Sequence, residues 1–283
     1  MKQLLYYILP LALLLAGCGN GGKEARARLE RAKAMYENNE LYAAKSEIDS
    51  IRTLYPKEIG VLKESLALMR QVDLKECQRN IAFCDSMLPI KTEEAEKLKN
   101  GFTFEKEEQY EEIGNYIWKQ QTIERNVQRS YVRCGVNEKG EMYLASAFYG
   151  NSPLNHTGLR VSTPDGLFAE TAAVPYDGGR NYRFKDMGMT SEIVTYKGPE
   201  CEEAVKFIYA NQKQRIKAEY IGGKKFFLYI AEGDKKAIVA TFELAAVLSD
   251  IESMHQEKEK AAKKIAYLTR KLEGKSTEDK PEK

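Results

Sequence analysis

A cysteine and a histidine, Cys134 and His156, are the residues of this sequence best suited to nucleophilic chemistry. A thiol becomes an effective nucleophile when a base lies beside it, and both residues fall in a region rich in β-forming residues, so they could meet. The alternative is a buried thiol and a loop histidine that stay apart. The sequence contains no Gly-x-Ser-x-Gly, Ser-x-x-Lys or His-Glu-x-x-His motif, and we therefore predict no catalytic site.

The strongest candidate for ligand binding is the stretch from Val174 to Phe184, which combines aromatic rings, guanidinium groups and turn glycines. Its candidate contact residues are Tyr176, Arg180, Tyr182 and Arg183. Such groups can stack on sugars or on extended peptides. The alternative is a β-turn whose aromatic rings face the protein core.

The four cysteines after residue 70 offer little further chemistry. Cys77 and Cys84 lie on one predicted helix, about 10 Å apart along its axis, which is too far for a disulfide. Cys134 and Cys201 could form a disulfide, although buried free thiols are the favoured alternative. Their spacing matches no zinc pattern, and the sequence has only two histidines, so we predict neither a metal site nor a cofactor.

The composition excludes two classes of protein. The 283 residues include 44 Lys and Arg against 42 Asp and Glu, a net charge of +2, which argues against a general nucleic-acid binder. A mean hydropathy of −0.53 excludes a protein with several membrane spans. Hydrophobic residues at 43% and charged residues at 30% are typical of a globular chain of one or two domains.

The N-terminus predicts export and lipidation. Lys2 precedes an apolar run from Leu4 to Leu15, which is too short to span a bilayer comfortably and is typical of a signal peptide. The sequence Leu15-Ala16-Gly17-Cys18 follows and resembles the lipobox of bacterial lipoprotein precursors. That resemblance implies cleavage before Cys18 and acylation of Cys18, and hence a lipid-anchored protein of the cell envelope. An ordinary secretory signal is the alternative.

Helical periodicity dominates both ends of the chain. Residues 23–38 and 41–55 predict two short helices, and together they resemble one tetratricopeptide-type helix pair: Ala32, Met35, Tyr36, Leu41, Ala44, Ile48, Ile51, Tyr55 and Pro56 carry that resemblance. At least three such repeats are needed for a solenoid, so we expect a lone hairpin. Residues 58–88 predict a long helix ended by Pro89, and residues 91–112 predict a helix, a turn and a second helix.

The middle of the chain has the alternation of β-strands, separated by turn signals, with a short helix near residues 200–211. Residues 215–230 predict a hairpin that turns at Gly222-Gly223 through positive φ angles. Asp234 is expected to cap the last helix, and Gly274 to end it.

These patterns predict an α+β protein with a mainly antiparallel β-rich domain and a long C-terminal helix that could pair with the N-terminal long helix. The predicted segments are a signal peptide (1–17), a lipidated tether (18–22), a helical region (23–115), a β-rich domain (116–232), a long C-terminal helix (233–273) and a disordered tail (274–283).

The first functional hypothesis is a non-catalytic scaffold or protein-interaction module, anchored to a membrane through lipid on Cys18 and able to bind an envelope protein. The lipobox, the charged helices and the Tyr- and Gly-rich β region together resemble envelope lipoproteins of Bacteroidetes. If the cell is Gram-negative, the outer membrane is the favoured location. The alternative is a glycan- or peptide-binding β domain on a helical stalk. An envelope hydrolase is a third hypothesis.

Overall fold

The structure, a computed structural model, describes residues 21–278 except 107–108 and 110–111. The predicted signal peptide and Cys18 lie outside the described residues. The fold is α+β, as predicted, and the chain divides into two compact units. The helical unit contains residues 21–85 and 256–278, and the β unit contains residues 86–255.

A helical hairpin opens the helical unit. It consists of α1 (Gly21–Glu37) and α2 (Leu41–Leu54), and alanines on both helices allow close packing. Its core side chains are Ala25, Leu29, Ala32, Leu41, Ala44, Ile48 and Ile51. The predicted lone hairpin is thus present. Helix α1 includes Gly21 and Gly22, the last two residues of the predicted 18–22 tether.

Helix α3 (Ile59–Lys99) is longer than predicted because Pro89 lies within it and does not end it. Proline removes one backbone N–H and disfavours a helix interior. The helix continues past this position, and Thr92 donates a hydrogen bond from its hydroxyl to the carbonyl of Leu88 at 2.8 Å. Of the helix, turn and second helix predicted over residues 91–112, the first helix is the end of α3 and a turn follows Lys99, but a strand begins at Phe102 where the second helix was expected.

Helix α5 (Glu232–Glu278) packs antiparallel on α3, as the apolar stripes of both helices predicted. Within the helical unit, Lys258 lies 2.5 Å from Asp85. Within the β unit, Lys91 lies 3.1 Å from Asp250. Gly274 does not end α5, which runs five residues beyond the predicted boundary at 273. None of the described helices is both long and apolar enough to cross a membrane.

Two antiparallel sheets form the β unit. The six-stranded sheet has the order β1-β2-β3-β4-β8-β7, and the four-stranded sheet has the order β10-β9-β5-β6. The strands are β1 (Phe102–Glu105), β2 (Asn115–Trp118), β3 (Tyr131–Asn137), β4 (Met142–Gly150), β5 (Gly158–Ser162), β6 (Phe168–Glu170), β7 (Asn181–Asp186), β8 (Met189–Lys197), β9 (Lys217–Ile221) and β10 (Phe226–Tyr229). Strand β1 begins before the predicted domain start at residue 116.

The core of the β unit lies between the inner faces of the sheets, helix α4 (Glu202–Ala210) and the first half of α5. Strand alternation places Leu144 and Val194 on this inner face of the larger sheet. Tyr220 links the sheets, because the single hydrogen of its hydroxyl is shared between the carbonyls of Tyr131 and Ala147, at oxygen–oxygen distances of 2.9 and 3.0 Å. This packing leaves the outer face of the six-stranded sheet available for other contacts.

The hairpin of β9 and β10 is present, but its turn differs from the prediction. The strands are joined by the four residues 222–225, and neither Gly222 nor Gly223 has a positive φ. Gly222 is required for another reason: a Cβ atom there would lie 2.6 Å from the Cα of His156. Glycine thus permits two backbone segments to approach each other closely.

Candidate ligand-binding groove

A groove of about 1120 Å³ covers the outer face of the six-stranded sheet within the β unit, and Val205 of α4 and Phe242 of α5 also line it. Its floor comes from β3, β4 and β8, where Ala145 and Ala147 alternate with side chains that point into the core. In the register of the sheet, Ala145 pairs with Arg133 on one side and with Thr195 on the other. The small side chains at the centre of this face leave room for the groove, and larger side chains surround it.

Aromatic side chains surround this floor. Tyr131, Tyr143 and Tyr149 line the groove from the central strands. On the edge strand β7, Tyr182 and Phe184 line it with nearly parallel rings, whose centroids lie 6.4 Å apart with an interplanar angle of 12°. Residues two apart on a strand share a face, so this pair forms an aromatic platform beside the floor.

Of the four binding residues predicted from sequence, the structure brings two to the groove. Tyr182 and Arg180 line it, and Arg180 makes two hydrogen bonds to Glu200 at 2.8 and 2.7 Å. Tyr176 and Arg183 do not line it. They contact each other, with the guanidinium of Arg183 4.5 Å from the centre of the Tyr176 ring.

One end of the groove is formed by the loop that precedes β3. Arg129 of this loop lines the groove, pairs with Asp234 and covers the ring of Tyr131 at 4.9 Å. Asp234 also accepts a hydrogen bond from Gln121 at 3.0 Å. The predicted capping role of Asp234 is wrong, because α5 begins at Glu232 and the Asp234 side chain is buried against this loop. Burial raises the pKa of Asp234 despite Arg129.

Arg133 is the charged residue at the centre of the groove face. Its guanidinium lies 3.6 Å from the carboxylate of Glu105 on the edge strand β1, which is too long for a hydrogen bond. Its Nε atom is buried without a hydrogen-bond partner. The nearby Tyr143 is largely enclosed, and burial raises the pKa of its hydroxyl to about 12. The groove therefore contains a cation whose donors are incompletely used.

A second polar cluster lies on the opposite, inner face of the same sheet. His156 lies 2.9 Å from both Ser146 and Glu192, with Nε2 facing the serine hydroxyl and Nδ1 facing the carboxylate. The hydroxyl of Tyr196 lies 3.0 Å from that of Ser146. This order of groups is that of a Ser-His-acid triad, in which a base activates a nucleophile and an acid orients the base.

The surroundings of this cluster do not suit catalysis. Ser146, His156, Glu192 and Tyr196 are each at most 2% exposed, and none of them lines the groove, so no substrate can reach the serine hydroxyl. Burial lowers the pKa of His156 below its usual value although Glu192 opposes this change. The imidazole is therefore neutral, and it donates from Nδ1 because a carboxylate can only accept.

Glu192 is ionised and well bonded in this setting. Burial alone would raise its pKa, but hydrogen bonds from the backbone N–H groups of Asn155 and His156, together with the imidazole, lower it. A carboxylate with several donors favours its charged form. The cluster thus joins the segment before β5 to β8 as a satisfied buried network.

Cys134 and His156 contact different partners, which is the alternative of the sequence analysis in which the two residues stay apart. The sulfur of Cys134 lies 3.3 Å from Gln121 Oε1 and 3.3 Å from the hydroxyl of Thr241. Cys134 and Cys201 are both free and buried, so the possible disulfide is not formed and the favoured alternative of buried free thiols is present. Burial raises their pKa values to about 12 and about 11, and both thiols are therefore protonated and unreactive at neutral pH.

The described part of the chain contains no group of three or more His, Cys, Asp or Glu side chains that could hold a metal ion.

The sequence did not predict the groove floor or the buried cluster, because strand order and register bring their residues together. The alternation in Tyr143-Leu144-Ala145-Ser146-Ala147 was the one signal of a two-faced strand with small residues on its outer face.

Comparison with known proteins adds no assignment to this geometry: no family model, curated protein or solved structure matches the chain. The class of protein is therefore defined by its own features, an α+β chain with an antiparallel β unit and a groove on one sheet face.

Proposed function

We propose that this protein is a lipid-anchored, non-catalytic module of the cell envelope that binds a glycan in the groove of its β unit. The observation that carries the proposal is the groove of about 1120 Å³ with Tyr182 and Phe184 side by side at its edge. Concave sites lined by aromatic side chains and a few polar groups are typical ligand sites.

A glycan fits this site better than an extended peptide. A peptide that adds to a sheet uses main-chain hydrogen bonds along an exposed edge strand. The groove floor instead lies on β4 and β8, which are paired with neighbours on both sides, and on β3, which is paired with β4 along its length. Recognition on this face must therefore come from side chains, and tyrosine rings and hydroxyls can pack against the apolar and polar faces of sugars.

The non-catalytic part of the proposal rests on the enclosure of the nucleophilic side chains. Ser146 is fully buried behind the groove floor, and the thiol of Cys134 is fully buried as well. Groove residues such as Arg133 and Tyr143 can bind a ligand, and binding requires no catalytic step from them.

Anchoring at the envelope rests on the sequence Leu15-Ala16-Gly17-Cys18. The described helices begin at Gly21, three residues after Cys18, so a lipid on Cys18 would hold the helical unit close to a membrane surface. Two or three acyl chains anchor a protein much more firmly than one.

A protein partner for the helical unit is a second candidate. Ile59 and Leu66 lie one heptad apart on α3 and are 60% and 52% exposed. Residues at this spacing share a helix face that could contact an envelope protein. Crosslinking in intact cells at a photoreactive residue in place of Leu66 tests this candidate; the exposed Tyr42 of α2 provides the matched control position.

An array of neutral and acidic oligosaccharides tests the glycan proposal. The mature chain, residues 18–283, carries Cys18→Ala so that it needs no detergent. We expect binding to at least one oligosaccharide and loss of that binding in Tyr182→Ala. Absence of binding to every oligosaccharide, or equal binding by the Tyr182→Ala variant, would contradict the proposal.

A further inference from the structure

The guanidinium of Arg133 has no strong partner within the β unit. Among the described residues its one ion pair is with Glu105 at 3.6 Å, and its side chain is 18% exposed in the groove. By contrast, Arg180 is held by two short hydrogen bonds to Glu200. Burying a charged group without hydrogen bonds is costly in free energy, so Arg133 has unused donors that can bind a further hydrogen-bond acceptor.

The position of Arg133 suits a ligand group and not a second protein side chain. Its register partner on β4 is Ala145, whose own partner on β8 is Thr195, so only small side chains lie beside it across the groove floor. A planar guanidinium presents a fork of donors that matches the two oxygens of a carboxylate.

From these contacts we infer that the groove is specific for an acidic glycan, and that Arg133 binds the carboxylate of a uronic-acid-type sugar. This inference rests on the proposed glycan-binding function and adds the chemical class of the ligand. Glu105 is the internal competitor for the same guanidinium, and the ligand carboxylate displaces it. The aromatic platform of Tyr182 and Phe184 then packs against neighbouring sugar rings.

Matched oligosaccharides test the inference. The probes are an oligogalacturonate and its fully methyl-esterified form, together with neutral oligosaccharides and an acidic glutamate peptide. Charge-assisted hydrogen bonds contribute about 1.5–3 kcal/mol, so esterification should weaken binding by about 10–100-fold. Arg133→Gln should weaken binding of the acidic probe to the same degree.

Two further variants keep the result interpretable if Arg133→Gln folds poorly. Glu105→Gln removes the competitor and should strengthen binding of the acidic probe several-fold, a gain that a purely structural Arg133 would not produce. Arg160→Gln removes an arginine of the four-stranded sheet that pairs with Glu170 outside the groove, and binding should stay unchanged.

The outcomes separate the two proposals. Equal binding of the acidic and esterified probes, or unchanged affinity in both Arg133→Gln and Glu105→Gln, overturns the acidic specificity but leaves glycan binding intact. Binding to the glutamate peptide alone, or to no probe at all, overturns the glycan-binding function and the inference with it.

Discussion

The Nδ1 atom of His156 lies 2.9 Å from the Oε2 atom of Glu192 between the two sheets, and both residues are almost completely buried. Glu192 also accepts hydrogen bonds from the backbone N–H groups of Asn155 and His156. The pair therefore fixes the segment before β5 against β8. Because Thr195 of the groove floor is also on β8, the pair stabilises the strand under the groove from its inner face.

Removal of the imidazole should destabilise the β unit strongly. His156→Ala leaves a buried carboxylate without one of its donors, and losing a hydrogen bond to a charged group costs about 1.5–3 kcal/mol. Chemical denaturation measures this loss. His255→Ala, at an exposed position of α5, is the matched control and should change stability by less than about 0.5 kcal/mol. Equal stability of the two variants would argue against a structural role.

The same pair predicts a pH dependence. The pKa of His156 is lowered in the folded protein, so the unfolded chain takes up a proton near pH 6.5 while the folded imidazole stays neutral. Stability rises with pH wherever the unfolded state binds more protons. We therefore expect the free energy of unfolding to fall as pH drops below about 6.5. The lowered pKa of Glu192 acts in the same direction at more acidic pH.

The pH prediction has an internal control. In His156→Gln the residue cannot titrate, so the decline between pH 7 and 5.5 should be shallower than in the wild type. A slope in His156→Gln equal to that of the wild type would show that other groups cause the decline.

Ser146 should not react with serine-directed probes. Its hydroxyl contacts His156 in the way that the nucleophile of a catalytic triad contacts its base, but it is fully buried and faces the core. We expect no covalent adduct from a fluorophosphonate in intact-mass measurements of the folded protein, and no loss of glycan binding in Ser146→Ala. A stoichiometric adduct that disappears in Ser146→Ala would revive the hydrolase hypothesis.

The turn between β3 and β4 should be sensitive at Gly140. Its φ is +83°, and a Cβ atom there would lie 2.4 Å from the backbone nitrogen of Ser249 on α5. Gly140→Ala should therefore lower stability by about 2–4 kcal/mol, through both strain and displacement of the helix. Gly166 is the control: its φ is +91° but a Cβ atom would meet nothing within 4 Å. Gly166→Ala should cost only about 1–2 kcal/mol. Equal losses of stability in the two variants would show that the contact of Gly140 with α5 does not contribute.

Lipidation is testable at one residue. Cys18→Ala should release the protein from the membrane fraction and abolish the mass increase of the acyl groups, because the thiol is the predicted attachment atom. Asn20→Ala, two residues away, should behave as the wild type. A membrane-bound Cys18→Ala protein of unchanged mass would show that the lipobox prediction is wrong.

Local sequence patterns predicted much of the fold. Helical spacing in α1, α2 and α5 and the alternation in β3, β4 and β8 identified these elements and the α+β class. Pro89 and the acidic residues after it misled the prediction, because packing on α5 outweighs the helix-breaking tendency of one proline. Short strands such as β1 and β6 have too few residues for a periodic signal.

The site was predicted only in part. Tyr182 and Arg180 were recognised because their residue types suit binding, but Arg133 and Ala145 enter the groove through the β3–β4 register, which local patterns do not specify. The contacts of His156 with Ser146 and Glu192 depend on strands distant in the sequence. Tyr176 and Arg183 satisfy each other, which residue type alone could not reveal.

The central claim, that the sheet-face groove binds a glycan, is tested most directly by titration calorimetry on two matched phenylalanine variants. Phe184 lies on the aromatic platform and is 51% exposed, whereas Phe227 of the other sheet is 52% exposed and lies outside the groove. With the tightest-binding oligosaccharide of the array, Phe184→Ala should weaken affinity about 5–10-fold, as loss of an aromatic contact of about 1–1.5 kcal/mol implies, while Phe227→Ala should match the wild type. Equal affinity of both variants and the wild type would contradict the claim.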